Sequence, residues 1–278
     1  MLGIMFRKEM KMVVSSRRFL YSLILLFLPV GVGAWYCHAM WLDPSILSRM
    51  TGGWLTHVTP MVCTMVYLDV APLPIALIAI IFSSDFIAGE EERGTLLLLL
   101  SKPVSRFQII LAKYLSFLLV FLLLVGLNLF FFSLSLKVLG IGVLQSKVFF
   151  SYMLALLCTG IVYTSLGTLF SVAMGKTLAA ILAGFVLLIT WYIFDWMISY
   201  LPLSVSQVLE KFSLSYYINE LVGYASRGEA SLFVAGGLPE VVSFRNFAIS
   251  LLVILGGLTV FPIATSMVIL ERKDIQGS

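Results

Sequence analysis

Charged side chains are scarce in this sequence. Asp, Glu, Lys and Arg make up 12% of its 278 residues, which is about half the share found in soluble globular domains. Hydrophobic residues account for 60%. So few charges cannot cover the surface of a soluble body of this size, and the composition therefore predicts a protein that is solvated by lipid. Nucleic-acid binding is excluded as well, because no basic run interleaves with exposed aromatic residues.

Motifs that carry chemistry are also missing. The chain has two His and three Cys, and none of them stands at C-x-x-C or H-E-x-x-H spacing. Residues 175–177, Gly-Lys-Thr, look like the end of a phosphate-binding loop, but position 170, where that motif needs glycine, holds Phe170. We therefore predict no catalytic residue, no metal site and no cofactor in this chain. A disulfide between Cys37 and Cys63 is compatible with the sequence but is not required by it.

Long apolar stretches are abundant. A membrane-spanning helix needs about 20 predominantly apolar residues, and six stretches meet that length. We therefore predict an all-α integral membrane protein with six transmembrane helices. The predicted spans are 19–37, 70–88, 108–136, 148–172, 177–200 and 247–270.

The distribution of Lys and Arg predicts the orientation of these spans. If the N-terminus is cytoplasmic, twelve of the 18 basic residues fall in inner segments and six in outer segments. The positive-inside rule then places both termini in the cytoplasm and makes the chain a multi-pass protein of the cytoplasmic membrane. The largest extramembrane segment, 201–246, lies outside, and its apolar residues at helical spacing predict one or two short helices there.

Residues 1–18 are predicted to form an amphipathic helix in the membrane interface. Phe6 and Met10 share an apolar face, with Arg7, Lys8 and Lys11 opposite, facing the lipid phosphates. The pattern fits a membrane-surface anchor, and it fits equally a helix that also contacts a cytoplasmic partner.

A short, very apolar segment lies between the second and third spans. Leu96–Leu100 is a run of five leucines, which rises only about 8 Å as a helix and cannot cross the bilayer. Gly94 breaks the incoming chain, Thr95 can cap a helix and Pro103 must end it. The pattern predicts a short helix on the cytoplasmic surface. The leucines either form a docking site for another protein or pack against the spans of this chain.

The sequence around this segment resembles the signature of the ABC-2 type transporter permeases. Residues 91–106 read Glu-Glu-Arg-Gly-Thr-Leu-x-Leu-Leu-Leu-Ser-x-Pro-Val-Ser-Arg, and Lys113-Tyr114 follow closely. The resemblance implies that residues 1–278 form one transmembrane domain without a fused ATPase, and that residues 1–18 form an elbow helix. It also implies that 89–107 is the coupling segment, which docks on a separate ATPase subunit.

Specific residues follow from this resemblance. The elbow residues are Phe6, Arg7, Lys8, Met10 and Lys11. The coupling residues are Glu90, Glu91, Glu92, Arg93, Gly94, Thr95, Leu96, Leu97, Leu98, Leu99, Leu100, Ser101, Pro103 and Arg106. The family also implies two ATPase subunits that carry ATP and Mg²⁺, and a second permease copy, with a homodimer expected. The chain would then be the non-enzymatic permease subunit of an ATP-binding cassette exporter.

Two polar residues inside the spans are candidate pathway residues. Asp195 lies late in the fifth span, where a carboxylate either faces a cavity or a partner or is solvated at the outer interface. Asn128 in the third span can hydrogen-bond between helices, and we favour that structural role. Two other function classes stay open from the residues alone. One is an ion-coupled secondary transporter that uses Asp195, and the other is a non-transporting membrane anchor or sensor.

Overall fold

A computed structural model describes residues 7, 10, 11, 13, 15–50, 58–95, 106–198, 200–225 and 243–272. Within these residues the chain is helical and contains no strand. The leucine run, Ser101 and Pro103 lie outside the described residues, and so do Phe6 and Lys8.

Among the described residues, six helical segments are long and apolar enough to cross a membrane, which confirms the predicted number of spans and the all-α class. We number them in chain order. Span 1 is Phe19–Leu42, span 2 is Val62–Ser83, span 3 is Arg106–Val138, span 4 is Ser146–Met174, span 5 is Thr177–Ile198 and span 6 is Phe244–Arg272.

Span 2 begins and ends earlier than predicted. The sequence predicted 70–88, but helix Pro60–Val70 is followed directly by helix Pro72–Ser83. Proline is tolerated in the first turn of a helix, where its missing N–H would have had no partner. Both helices begin with proline in this way, so the prolines start helices here and do not mark a loop.

Spans 2, 3 and 4 form the centre of the bundle. In an apolar stretch of 18 residues within each span, 56%, 50% and 61% of the residues of spans 2, 3 and 4 are buried. The corresponding share is 22% in each of spans 1, 5 and 6. Spans 2 and 4 approach closely at Gly167, because any Cβ there would collide with the hydroxyl of Ser83. Three spans thus make the core, and three peripheral spans expose most of their apolar surface, as expected for lipid contact.

Short helices lie at both ends of the bundle. We call the end that carries residues 84–95 the inner end and the opposite end the outer end, after the orientation that the charge asymmetry predicts. The short inner helix is Ala88–Glu92. The outer end carries Pro44–Met50, Leu203–Leu209, the 3₁₀ turn Glu210–Phe212 and the outer helix, Leu214–Ala225.

Span 6 is interrupted by a π-helical stretch. Helix Phe244–Leu252 leads into π-helix Val253–Val260, and α-helix resumes over Phe261–Arg272. The hydroxyl of Thr259 donates to the carbonyl of Ile254, and Ser165 in span 4 donates to the carbonyl of Leu258 at 2.9 Å. These side-chain bonds give partners to carbonyls in the π-helical stretch, inside a hydrocarbon region that offers none.

Candidate coupling site

The segment that leaves span 2 at the inner end is fixed first to span 4. The backbone N–H groups of Ile87 and Ala88 donate to the hydroxyl oxygen of Ser171 at 3.0 and 2.9 Å. That hydroxyl in turn donates to the carbonyl of Ser84 at 2.8 Å. A single buried serine therefore holds the turn 84–88, and the short inner helix begins from a fixed position.

The next attachment is an ion pair with span 3. Glu90 accepts a hydrogen bond from the Lys113 ammonium at 3.1 Å, and the side chains are only 13% and 7% exposed. The hydroxyl of Thr95 donates to the same carboxylate. Burial opposes ionisation of Glu90, but the Thr95 hydroxyl and the Lys113 ammonium together outweigh it and lower the pKa of this carboxyl below its ordinary value. Glu90 is therefore ionised at neutral pH.

A second carboxylate reaches span 5. Glu92 accepts from the backbone N–H of Thr177 at 2.9 Å and from the Thr177 hydroxyl at 2.7 Å. Thr177 is the first residue of span 5, so the carboxylate fills a place that a capping side chain of the same helix would otherwise take. Lys176, on the preceding turn, is exposed. The tripeptide 175–177 thus belongs to a helix-to-helix connection, with Gly175 at a left-handed φ of 65°.

Arg93 folds back to the end of span 2. Its guanidinium lies 3.0 Å from the carboxylate of Asp85, with side chains 57% and 25% exposed. An ion pair this exposed contributes little to stability. Gly94 follows at a φ of 67°, a left-handed conformation that favours glycine, so the predicted chain break at this position is confirmed.

Arg106, which begins span 3 on the other side of the coupling segment, contacts the end of span 6. Its guanidinium donates to the carbonyls of Leu270 and Glu271, the latter at 3.1 Å. These are among the last carbonyls of span 6, which have no partner within their helix, so Arg106 caps span 6 from span 3.

The structure thus brings together Glu90, Glu92, Arg93 and Thr95 from the predicted coupling segment, while Arg106 lies at the start of span 3. Glu91 is partly buried beside them. Sequence reasoning missed their partners, which are Asp85, Lys113, Ser171 and Thr177. One signal was available for Lys113, because a lysine two turns into an apolar span requires a partner. No signal was available for Ser171.

The described part of the predicted elbow helix has the expected amphipathic pattern of exposure. Arg7 and Lys11 are exposed, whereas Met10 and Val13 are partly buried, and Val13 packs against the core. The elbow role itself stays a prediction.

Asn128 lies at the centre of three helices. Its side-chain oxygen accepts from the hydroxyl of Tyr67 in span 2, and its amide nitrogen donates to the carbonyl of Leu26 in span 1. Asn128 is 1% exposed. These contacts support the hydrogen-bonding role that we favour for Asn128 over a role in the pathway.

Asp195 lies near the outer end of span 5 and faces the outer helix. Its carboxylate accepts from the hydroxyl of Ser215 at 2.6 Å and from the hydroxyl of Ser213. The Ser213 oxygen also accepts the N–H of Ser215 at 3.0 Å. The carboxylate therefore ties the beginning of the outer helix to span 5.

Among the described residues, the cysteine and histidine side chains near the outer end do not form a metal site. Cys37 and Cys63 are buried and are not joined by a disulfide. Across the part of the chain that the structure describes, no three His, Cys, Asp or Glu side chains are grouped so as to hold a metal ion.

Comparisons with known proteins give the family. Residues 4–275 match the family model described as ABC-2 family transporter protein. A 100-residue stretch is 38% identical to a protein of Pseudomonas aeruginosa described as the probable ABC transporter permease protein NosY. That stretch covers 36% of this chain and 32% of the relative, so the match spans about a third of the relative's length. Because the family model covers almost the whole sequence, this chain belongs to the ABC-2 family of transporter proteins.

Proposed function

We propose that this chain is the permease subunit of an ATP-binding cassette exporter in the cytoplasmic membrane, and that residues 89–107 couple it to separate ATPase subunits. Two permease copies would form the substrate pathway, each with one ATPase below it. ATP and Mg²⁺ would be bound by the ATPases. Family membership supports the transporter class over the anchor or sensor and over the ion-coupled transporter.

The observation that carries the proposal is the way the inner segment is attached. Within eleven positions, from Asp85 to Thr95, the chain is fastened to span 4 through Ser171, to span 3 through Lys113 and to span 5 through Thr177. Because the segment is joined to three spans by short polar contacts, a displacement of the segment by the ATPase would move all three spans. A flexible loop could be displaced without moving the spans.

The charged residues of the segment therefore have a different role from the one that the resemblance suggests for them. Glu90 and Glu92 bind helices of their own chain, so they position the segment and are not free to bind the ATPase. The docking surface is then left to the leucine run, Leu96–Leu100. Burial of one leucine side chain stabilises a contact by about 1.5–3 kcal/mol, so a few of them suffice to hold a partner.

Energy would be transferred through this contact. ATP-driven closure of the ATPases moves the docked leucines, and the polar attachments carry that movement into spans 3, 4 and 5. Spans 1, 5 and 6 are the least buried, so they can tilt with less repacking than the central spans. Access to the pathway would switch from the inner face to the outer face.

The test replaces one leucine of the docking run by aspartate. We expect Leu97→Asp and Leu98→Asp to reach normal membrane levels but to lose copurification with the ATPase, because an unpaired carboxylate in a dry contact costs more than the apolar contact contributed. Leu201→Asp is the matched control, because Leu201 is an exposed leucine at the outer end. The purified permease alone should hydrolyse no ATP.

Two outcomes would contradict the proposal. Normal copurification and normal ATPase stimulation by a folded Leu97→Asp variant would show that the run does not dock. Failure of both leucine variants to accumulate, with normal accumulation of Leu201→Asp, would show that the leucines pack within this chain.

A further inference from the structure

Span 5 is attached at its inner end by a carboxylate from outside its own helix. The first N–H groups of a helix have no intrahelical partner, and the helix dipole places a partial positive charge there. Glu92 satisfies the N–H of Thr177 and binds its hydroxyl, so it both caps span 5 and complements its dipole. The connection from span 4 contains only Gly175 and Lys176, which leaves little slack at this end.

Span 5 is attached at its outer end by a carboxylate of its own. Asp195, three residues before the end of the span, binds the hydroxyls of Ser213 and Ser215. These two serines flank the first residue of the outer helix, Leu214–Ala225. The two attachments are therefore separated by about five turns of one helix, roughly 27 Å along its axis.

The fully buried residues of span 5 form a narrow seam. Its buried residues before the outer end are Thr177, Ala180, Gly184 and Leu188, which recur every three or four positions on one face. At Gly184 a Cβ would approach within 2.6 Å of Ile80 in span 2. A seam of small residues permits close contact with little interlocking, and most of the remaining side chains are exposed.

We propose that span 5 is the lever that couples the inner segment to the outer helix, with Glu92 and Asp195 as the positioning residues at its two ends. This inference rests on the proposed function, because the docked ATPase is what displaces Glu92. Movement of the short inner helix shifts the start of span 5 through Glu92. Span 5 rocks on its seam, and Asp195 moves the outer helix, which opens the outer end of the pathway.

A purely structural cap would stabilise span 5 and do nothing more, so the test needs a readout of movement. We would place a single cysteine at Lys211, an exposed position beside the start of the outer helix. The protein is the full chain, copurified with its ATPase subunits and reconstituted in nanodiscs. The measured quantity is the rate of modification of this cysteine by a polar maleimide, with and without ATP and vanadate. The chain without the added cysteine gives the background rate.

Threonine substitutions within span 5 give a matched pair of variants. Thr177→Val removes the hydroxyl that binds Glu92, whereas Thr190→Val makes the same change at an exposed position whose hydroxyl bonds only within its own helix. Asp195→Ala tests the outer attachment, and Asp43→Ala is its control, because Asp43 is an exposed carboxylate at the outer end.

We expect ATP and vanadate to change the labelling rate by about fivefold or more in the parent protein. The change should be smaller in Thr177→Val, which keeps the backbone N–H bond to Glu92, and should disappear in Asp195→Ala. The ATPase should still copurify with both variants, and the full change should persist in Thr190→Val and Asp43→Ala. A full ATP response in a folded Thr177→Val or Asp195→Ala variant would overturn the lever.

Failure of the lever and failure of the proposed function give different results. If the ATPase copurifies with the parent protein but ATP and vanadate do not change the labelling rate, the lever is overturned. The permease assignment then stays intact. An ATPase that never copurifies with the parent protein would overturn the proposed function and the lever with it.

Discussion

Replacing Lys113 by methionine should destabilise the protein much more than replacing Arg93 by glutamine. Both residues form an ion pair at the inner end, at 3.1 Å to Glu90 and at 3.0 Å to Asp85. The difference is burial, because the Lys113 and Glu90 side chains are 7% and 13% exposed whereas that of Arg93 is 57% exposed.

Burial sets the magnitude. Removing one partner of a buried ion pair leaves an uncompensated charge and costs about 3–5 kcal/mol, whereas an exposed pair contributes about 0–1 kcal/mol. For a chain of this size the Lys113→Met loss corresponds to a decrease in melting temperature of roughly 6–20 °C. The double variant Lys113→Met/Glu90→Leu should recover most of the loss, because replacing both charges by apolar groups removes the buried charge.

The effect of Lys113→Met should also depend on pH. The pKa of Glu90 is lowered in the folded protein, so its stabilising contribution is present above the unfolded pKa, about 4.3, and is lost as pH falls through the folded pKa. Without Lys113 the same buried carboxyl loses a favourable partner, and its protonation becomes stabilising. The stability gap between parent and variant should therefore narrow as the pH approaches 4.

Thermal unfolding of the detergent-purified proteins, followed by tryptophan fluorescence, measures these differences. A Lys113→Met variant that melts within 2 °C of Arg93→Gln would refute the argument from burial, where about 2 °C is the shift expected for a change of only 1 kcal/mol. A double variant as unstable as Lys113→Met alone would show that the lysine acts through packing and not through its charge.

Two further predictions concern orientation and the centre of the bundle. An impermeant maleimide applied from outside should label Ser204→Cys but not Ser101→Cys, and external labelling of Ser101→Cys would reverse the predicted orientation. Asn128→Leu should lower the free energy of unfolding by about 0.6–1.7 kcal/mol per lost interhelical hydrogen bond. Tyr67→Phe, which removes only one of the two bonds, should have the smaller effect in the same thermal assay, and equal losses would contradict this account of Asn128.

The number of spans could be predicted from the sequence. Each span is a stretch of about 20 apolar residues, and length alone identifies it because the bilayer has a fixed thickness. The turn at Gly94 could be predicted for a similar reason, since glycine favours the left-handed backbone there. The start of span 2 could not, because the prolines at 60 and 72 are compatible with a loop and with a helix start.

Only the tertiary structure decided what the charged residues contact. Glu92 was predicted to serve the ATPase and Thr177 looked like part of a phosphate-binding loop, yet the two bind each other across 85 positions of sequence. Asp195 was considered for the pathway, and it binds two serines of the outer helix. Partners this distant depend on how the spans pack. Most faces of a membrane-spanning helix are apolar, so hydrophobic periodicity does not reveal which faces meet. Local backbone chemistry and bilayer thickness therefore determine the helices of this protein, and helix packing alone determines the side-chain contacts at its inner end and at its outer end.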